Sequence, residues 1–489
     1  MSFVRAVVRH NAYADSITLL QVSAAITELE GVIDAALVMG TELNMALLRD
    51  SGLLTQPLDA GLNDLVIAVR AHDAATAETA VEQAERLLAQ QRPGRQAGVD
   101  RAEEPRSLRS ALRQQPDSNV ALVSVPGPYA AGAARQALAL GLHVFLFSDN
   151  VSVEDEVQLK RQGREKGILV MGPDCGTAIL NGVALGFANV VRRGRVGLIG
   201  ASGTGIQEVS CLLDRAGDGI SHAIGTGGRD LHEAVGAIGT LQALDMLAAD
   251  PSTETIVLIS KPPSPAVAER VLEAAVLAGK RVIACLLGAA MAPRDGVELA
   301  TNLYQAARLA ASDASRWKGI SAEDLPRLRL RDGQRQVRGL FCGGTLRDEA
   351  DLALGVTEGV IERDLIDFGD DRYTRGRAHP MIDPTLRNQA LLEAGADPRV
   401  AVLLLDVILG YGAHADPAGA LAPTLDEVQR RAAEGGRELA ILAHIVGTER
   451  DRQSFAQQEA KLRAVGAHVF GSNYHAAVAA GLLLEAAAG

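Results

Sequence analysis

Arg195-Val-Gly-Leu-Ile-Gly-Ala-Ser-Gly-Thr-Gly-Ile-Gln-Glu-Val-Ser-Cys-Leu-Leu213 is the stretch from which the rest of the chain is best read. Arg195–Ile199 reads as a short buried strand, and Ile206–Leu213 has the spacing of a helix. The join, Gly200-Ala201-Ser202-Gly203-Thr204-Gly205, is rich in glycine. Glycine lets a backbone approach a ligand closely. The free N–H groups and dipole of a helix start favour an anion, and Ser202 and Thr204 add hydroxyls. The loop lacks the Gly-Lys-Ser/Thr of a Walker A motif. The plainer alternative is a tight strand-to-helix turn with Ser202 as N-cap.

The same alternation extends both ways. Upstream, Val120–Val125, His143–Phe147 and Ile168–Met171 are continuous apolar runs, with helical spacing at Tyr129–Leu140 and Val153–Lys166. Downstream lie Ser221–Ile224, Thr255–Ile259 and Arg281–Leu286. Continuous apolar strands alternating with helices imply parallel sheets covered on both faces. A charged, strand-poor stretch, 313–335, separates these from a second set at Val337–Phe341, Val400–Leu405, Leu439–Val446 and His468–Phe470. The first 92 residues alternate strand and helix on a smaller scale, as in a ferredoxin-like α+β module. The segment from Arg92 to Pro105, with Pro93, Gly94 and alternating charge, reads as an exposed linker. The expected class is thus α/β: a module at 1–92, a Rossmann-like domain at 105–188, and flavodoxin-like domains at 189–312 and 336–489.

A net charge of −12 argues against nucleic acid or an anionic membrane as partner. The N-terminus lacks an apolar signal core, and no run approaches the roughly 20 apolar residues of a membrane span. A cytoplasmic location is expected. Cys175, Cys211, Cys285 and Cys342 are widely spaced and signal neither a metal site nor a disulfide framework.

Ligands of open parallel sheets bind beyond the carboxyl ends of the strands, so the loops there carry the candidates. They are Gly127-Pro128-Tyr129, Met171–Gly176, Gly225–Asp230 with Gly227, Gly228 and Arg229, and Cys342-Gly343-Gly344-Thr345. Cys342 has no basic neighbour in sequence and reads as structural. His379-Pro380-Met381-Ile382-Asp383-Pro384 is an irregular polar loop of the kind that serves a site or an interface.

Val120 to about Pro262 resembles the α subunit of succinyl-CoA synthetase. The marks are Val125–Tyr129, Met171–Asp174, Gly194–Gly205 with Glu208, and Ile224–Asp230. That family implies a CoA-binding-type domain at 105–188 and succinyl-CoA-ligase-type domains at 189–312 and 336–489. It also carries a phosphorylated histidine, whose region here, Leu287-Gly288-Ala289-Ala290-Met291-Ala292-Pro293, has no histidine. A glutamate that would support that histidine is replaced near Lys261. Over nearly its whole length the chain resembles the FdrA family. The further marks are Phe341–Leu346, His379–Pro384, Asp406 with Gly410-Tyr411-Gly412, and Val446–Glu449.

The resemblance implies a subunit of a carbamoyltransferase that works with two other subunits in allantoin breakdown. Such an enzyme converts oxalurate and phosphate to oxamate and carbamoyl phosphate. It implies phosphate or carbamoyl phosphate as substrate, with no metal. Ser202, Gly203, Thr204, Gly227, Gly228, Arg229, Gly343, Gly344 and Thr345 would bind phosphate or acyl phosphate. His379 and Asp383 would orient substrate or act in catalysis, and Gly127, Pro128, Tyr129 and Asn473 would contact substrate or cofactor. Two alternatives stand beside it: an acyl-CoA synthetase using CoA and a nucleotide, and a scaffold subunit without activity. A hetero-oligomer is expected, with a homodimer as a further option.

Overall fold

A computed structural model describes residues 2–12, 14, 16–56, 58–91, 105–321, 325–355, 361–374 and 377–488. The expected linker from Arg92 to Pro105 lies outside the described residues apart from Pro105. The chain divides into two compact units, Met1–Gln114 with Asp371–Asp383, and Gln115–Asp370 with Pro384–Gly489.

The first unit runs β1 (Phe3–Arg9), α1 (Ser16–Thr27), β2 (Val32–Met39), α2 (Glu42–Asp50), β3 (Leu65–Ala71), α3 (Ala74–Gln91) and α4 (Leu108–Gln114). Its sheet has the order β1-β3-β2, with β3 antiparallel to both neighbours, as in a ferredoxin-like arrangement. Successive side chains of a strand point to opposite faces, and β3 is apolar on both. Ile67 and Val69 join a cluster with Leu19, Val22 and Val81. Val66 and Ala68 join another with Met45 and Leu48.

The second unit begins with β4 (Val120–Val123), α5 (Gly127–Ala139), β5 (His143–Leu146), α6 (Val153–Glu165) and β6 (Val170–Met171), a parallel three-stranded sheet. Next come β7 (Thr177–Leu180), β8 (Val183–Gly186), β9 (Arg193–Ala201), α7 (Gly203–Arg215), β10 (Ile220–Gly225), α8 (Ile238–Ala249), β11 (Thr255–Ser260), α9 (Pro265–Val276), β12 (Arg281–Leu286), β13 (Val297–Leu299) and α10 (Leu303–Ala310). Their sheet has the order β13-β12-β11-β9-β10-β7-β8. The last part has β14 (Gln336–Phe341), α11 (Gly344–Gly355), β15 (Glu362–Asp367), α13 (Thr385–Ala396), β16 (Val400–Ile408), α14 (Pro417–Glu434), β17 (Ala440–Val446), α15 (Phe455–Ala464), β18 (His468–Phe470) and α16 (Asn473–Ala488). Its all-parallel sheet has the order β15-β14-β16-β17-β18. Helix α12 (Asp371–Thr374) falls in the first unit.

Both larger sheets follow the flavodoxin strand order 2-1-3-4-5: β10-β9-β11-β12-β13 and β15-β14-β16-β17-β18. Three features differ from the sequence expectation; the first is the short edge strand β13, absent from the sequence reading. The β7–β8 hairpin, read as part of 105–188, pairs through β7 with β10 and so extends the next sheet. β15 is an additional edge strand whose first three residues, Glu362, Arg363 and Asp364, are exposed; its polar face gives no apolar run to read. Among the described residues, no helix is long and apolar enough to cross a membrane.

Candidate functional site at two helix starts

In a flavodoxin-like sheet the chain leaves the first and third strands on opposite faces, which opens a crevice between their ends. β9 and β11 form that crevice in one sheet, and β14 and β16 in the other. The structure brings the two first-strand loops together. Ser202 caps α7, accepting from Gly205 N at 2.9 Å, and its Oγ lies 2.5 Å from Thr345 Oγ1 in the first turn of α11. A Cβ at Gly343 would lie 2.9 Å from Thr204 Cγ2. A Cβ at Gly344 would collide with the Asp367 carboxylate and the Lys261 amine. Residues 343–345 therefore meet Thr204, the Lys261–Asp367 pair and Ser202 in turn. Two positive helix ends sit side by side, with Lys261 next to them, an arrangement whose complement is an anion.

Asp367 ends β15 and is 7% exposed. Its Oδ1 accepts from Gly369 N at 2.8 Å, while Oδ2 points to the start of α11. Burial pushes its carboxyl up to about 6; Lys261 pulls it down and Asp406 pushes it further up.

The loop from Cys342 to Thr345 is not a second open cradle. Asp406, fully buried in β16, accepts from Cys342 N at 2.7 Å and Gly343 N at 2.8 Å. Arg387 donates to it at 3.0 Å and to its carbonyl at 2.8 Å. Burial still leaves this carboxyl above the ordinary range, against the pull of Arg387 and the two N–H groups. The loop thus holds a carboxylate of its own. Cys342 is buried, and burial raises its thiol well above the usual range, which makes it a poor nucleophile.

The Gly225–Asp230 loop also has its own partners. A Cβ at Gly225 or Gly227 would strike the carbonyl oxygens of Thr177 and Pro173, so glycine there lets backbone meet backbone. Gly228 faces Asp174, a carboxylate. Arg229, expected to hold phosphate, donates to Glu156 at 3.1 Å and to Val151 O at 2.8 Å. Beneath it, buried Lys160 binds Glu156 and Asp230, both at 2.7 Å. Gly127 starts α5 close against the carbonyls of Asn150 and Asp149; Pro128 lies in its first turn, and Tyr129 is 53% exposed.

Asn473 is buried, donating to Leu346 O at 2.9 Å and to Glu349 at 2.8 Å. It belongs to the junction that holds α7 and α11 in place. There Glu208 of α7 lies 2.7 Å from His444 Nε2, and the other ring nitrogen lies 3.0 Å from Phe470 O. Burial raises the Glu208 carboxyl, but His444 pulls it lower still, to a net position below the usual range. Glu349 of α11 accepts from Leu303 N at 2.7 Å. His379 and Asp383 fall in the first unit, and the glycine loops in the second. His379 accepts from Met381 N at 3.2 Å.

Sequence reasoning named Lys261 and Asp406 only as marks of resemblance, without a site role, and missed Asp367. The signal for Asp367 and Lys261 was their position at, or just past, the end of a parallel strand.

This is the architecture of a CoA-ligase-type protein. Residues 191–287 match the CoA binding domain, and residues 340–483 match the CoA-ligase domain. The chain belongs to the family of the Escherichia coli protein YahF, itself uncharacterized, with 43% identity over 495 residues and 95% of each chain covered. The succinate–CoA ligase subunit alpha-2 of Trichomonas vaginalis is 33% identical over 30% of this chain and 47% of its own. The chain thus spans about half the length of that relative. A dinucleotide-forming acetyl-coenzyme A synthetase from Ca. Korarchaeum cryptofilum overlaps 76% of this chain and 82% of its own, at 16% identity and a TM-score of 0.33.

Residues 1–105 match the family described as AllF, heavy metal-associated domain. The residues do not fit a heavy metal. All four cysteines lie beyond residue 170, and His10 at the end of β1 pairs with Asp64 at 2.9 Å. Among the described residues, no group of three or more His, Cys, Asp or Glu is placed to hold a metal.

Proposed function

We propose that the chain is an FdrA-type subunit of a carbamoyl-transfer enzyme. It would cleave a small ureido acid such as oxalurate with phosphate, giving carbamoyl phosphate and an amide acid such as oxamate, in a complex with two other subunits. The observation that carries this reading is the meeting of the two helix starts at Ser202 and Thr345, with Lys261 beside them. Such a place suits a phosphate or acyl-phosphate anion. The loop Leu287–Pro293 lacks a histidine to phosphorylate, and phosphorolysis of a ureido carbonyl needs none. It needs an oriented phosphate and stabilised charge.

The test is carbamoyl phosphate formation from oxalurate and phosphate by the chain co-expressed with its genomic neighbours. Turnover without CoA or ATP is expected, and its absence refutes the reading. A second reading, ligation of an acid to CoA, is favoured by the CoA binding domain match over residues 191–287. It requires CoA- and ATP-dependent product, and transfer of a γ-phosphate label to a histidine would support it against the first.

A further inference from the structure

Phosphorolysis of a ureido carbonyl leaves one chemical demand that an anion cradle does not meet. A phosphate oxygen attacks the carbonyl and a C–O bond forms. The C–N bond then breaks, and the departing nitrogen takes the electron pair. That nitrogen must gain a proton, and hydrogen phosphate must lose one.

Few groups at the paired helix starts can carry that proton. Ser202 and Thr345 are bonded to each other. Asp406 is occupied by two backbone N–H groups and Arg387. Asp348 is bridged to Arg347 at 3.0 Å. His444 is sealed against Glu208 and Phe470. Asp367 differs: nine-tenths buried, it anchors one oxygen on Gly369 and turns the other toward Gly344 and Lys261.

We infer that Asp367 is the proton-carrying catalytic residue of the site, an inference that rests on the carbamoyl-transfer reading. Hydrogen phosphate attacks through an oxygen that is already ionised, so the C–O bond forms without a base. The protonated carboxyl gives its proton to the departing nitrogen as the C–N bond breaks, then takes the P–OH proton of the carbamoyl phosphate just formed, and so ends the cycle as it began. Three charged groups face it from neighbouring elements: Lys261 past the end of β11, Arg347 on α11, and Asp406 in β16. Lys261 and Arg347 favour the ionised form, and Asp406 and burial oppose it. A carboxyl near 6 is matched to giving and taking a proton close to neutral pH.

The experiment uses the assembled complex, phosphate, and two carbamoyl donors. Oxalurate departs as a nitrogen that needs the proton. 4-Nitrophenyl carbamate departs as a stable phenolate that does not. Asp367→Asn is expected to slow the oxalurate reaction by about 10²- to 10⁴-fold, the usual weight of general acid–base catalysis. It should slow the nitrophenyl reaction only a few-fold, leave KM for phosphate unchanged, and regain part of the rate as Asp367→Glu. Equal losses on both donors would reduce Asp367 to a structural role, and an unchanged oxalurate rate would also overturn the inference. If the wild-type complex turns over neither donor with phosphate, the carbamoyl-transfer reading falls and this inference with it.

Discussion

Replacing Glu349 with glutamine should flatten the pH dependence of this protein's stability. Glu349 is 1% exposed, accepts from Leu303 N at 2.7 Å and from Asn473 Nδ2 at 2.8 Å, and sits between α10, α11 and α16. Burial, and then the charge of Glu208, push its carboxyl from 4.5 to about 8. Between those values the folded protein holds a proton that the unfolded chain has lost. Stability from this group is therefore full below 4.5 and drains away as pH rises through about 8. The interval from 4.5 to about 8, at about 1.4 kcal/mol per pH unit, sets a ceiling on the order of 5 kcal/mol. That is a large share of the usual 5–15 kcal/mol of a folded domain. Trp317, the single tryptophan, reports on this region: its ring lies 5.2 Å from Tyr304, whose ring lies 4.2 Å from His475. Urea unfolding followed by its fluorescence from pH 5 to 9 should show wild-type stability falling with pH. Glu349→Gln should fall less steeply, since a neutral amide has no proton to lose. Equal slopes for the two proteins would show that Glu349 is ionised in the fold and that the reasoning is wrong.

Gly343→Ala should push the helix starts apart, because the new methyl would lie 2.9 Å from Thr204 Cγ2. Overpacking of this kind costs about 1–3 kcal/mol; a lower melting temperature and weaker phosphate binding are expected, both eased by adding Thr204→Gly. Arg387→Met should be costlier, about 3–5 kcal/mol, because it leaves the Asp406 carboxylate buried without its cation. The loss should shrink as pH falls and Asp406 takes a proton, a trend visible in paired melts near pH 5 and 8.

Much of the fold was legible because parallel strands covered on both faces read as unbroken apolar runs. Val400–Leu405 is buried at every residue, and it was found. Glu362–Asp367 is an edge strand with an exposed polar start, and it was not. The β7–β8 hairpin was missed because two four-residue strands around Asn181-Gly182 give too little periodicity. The site shows the same division. The glycine loops announced themselves through local composition. Their partners did not, because Ser202 meets Thr345 and Glu208 meets His444 only once the chain has folded. Arg229 looked like a phosphate ligand for the same reason: its partner Glu156 lies in α6, far upstream in sequence.

The two halves share a strand order yet differ at the point where a ligand would bind. In the first half, the third strand ends at Ser260 and is followed by Lys261, a cation left facing the helix starts. In the second, the third strand carries Asp406, an anion that fills the loop from inside. A carboxylate on two backbone N–H groups does locally what a bound phosphate would do, so this loop is satisfied without one. On the proposed reading, the asymmetry would give two glycine-rich helix starts one anion site instead of two. The first half supplies the helix start capped by Ser202 and the charge of Lys261. The second supplies a braced helix start and, from its edge strand, the carboxyl of Asp367. A single anion held among these groups would touch residues from both halves, and neither half would bind it alone. On the proposed reading, the junction around Glu208, His444, Glu349 and Asn473 would serve function as well as structure, because it holds α7 and α11 together.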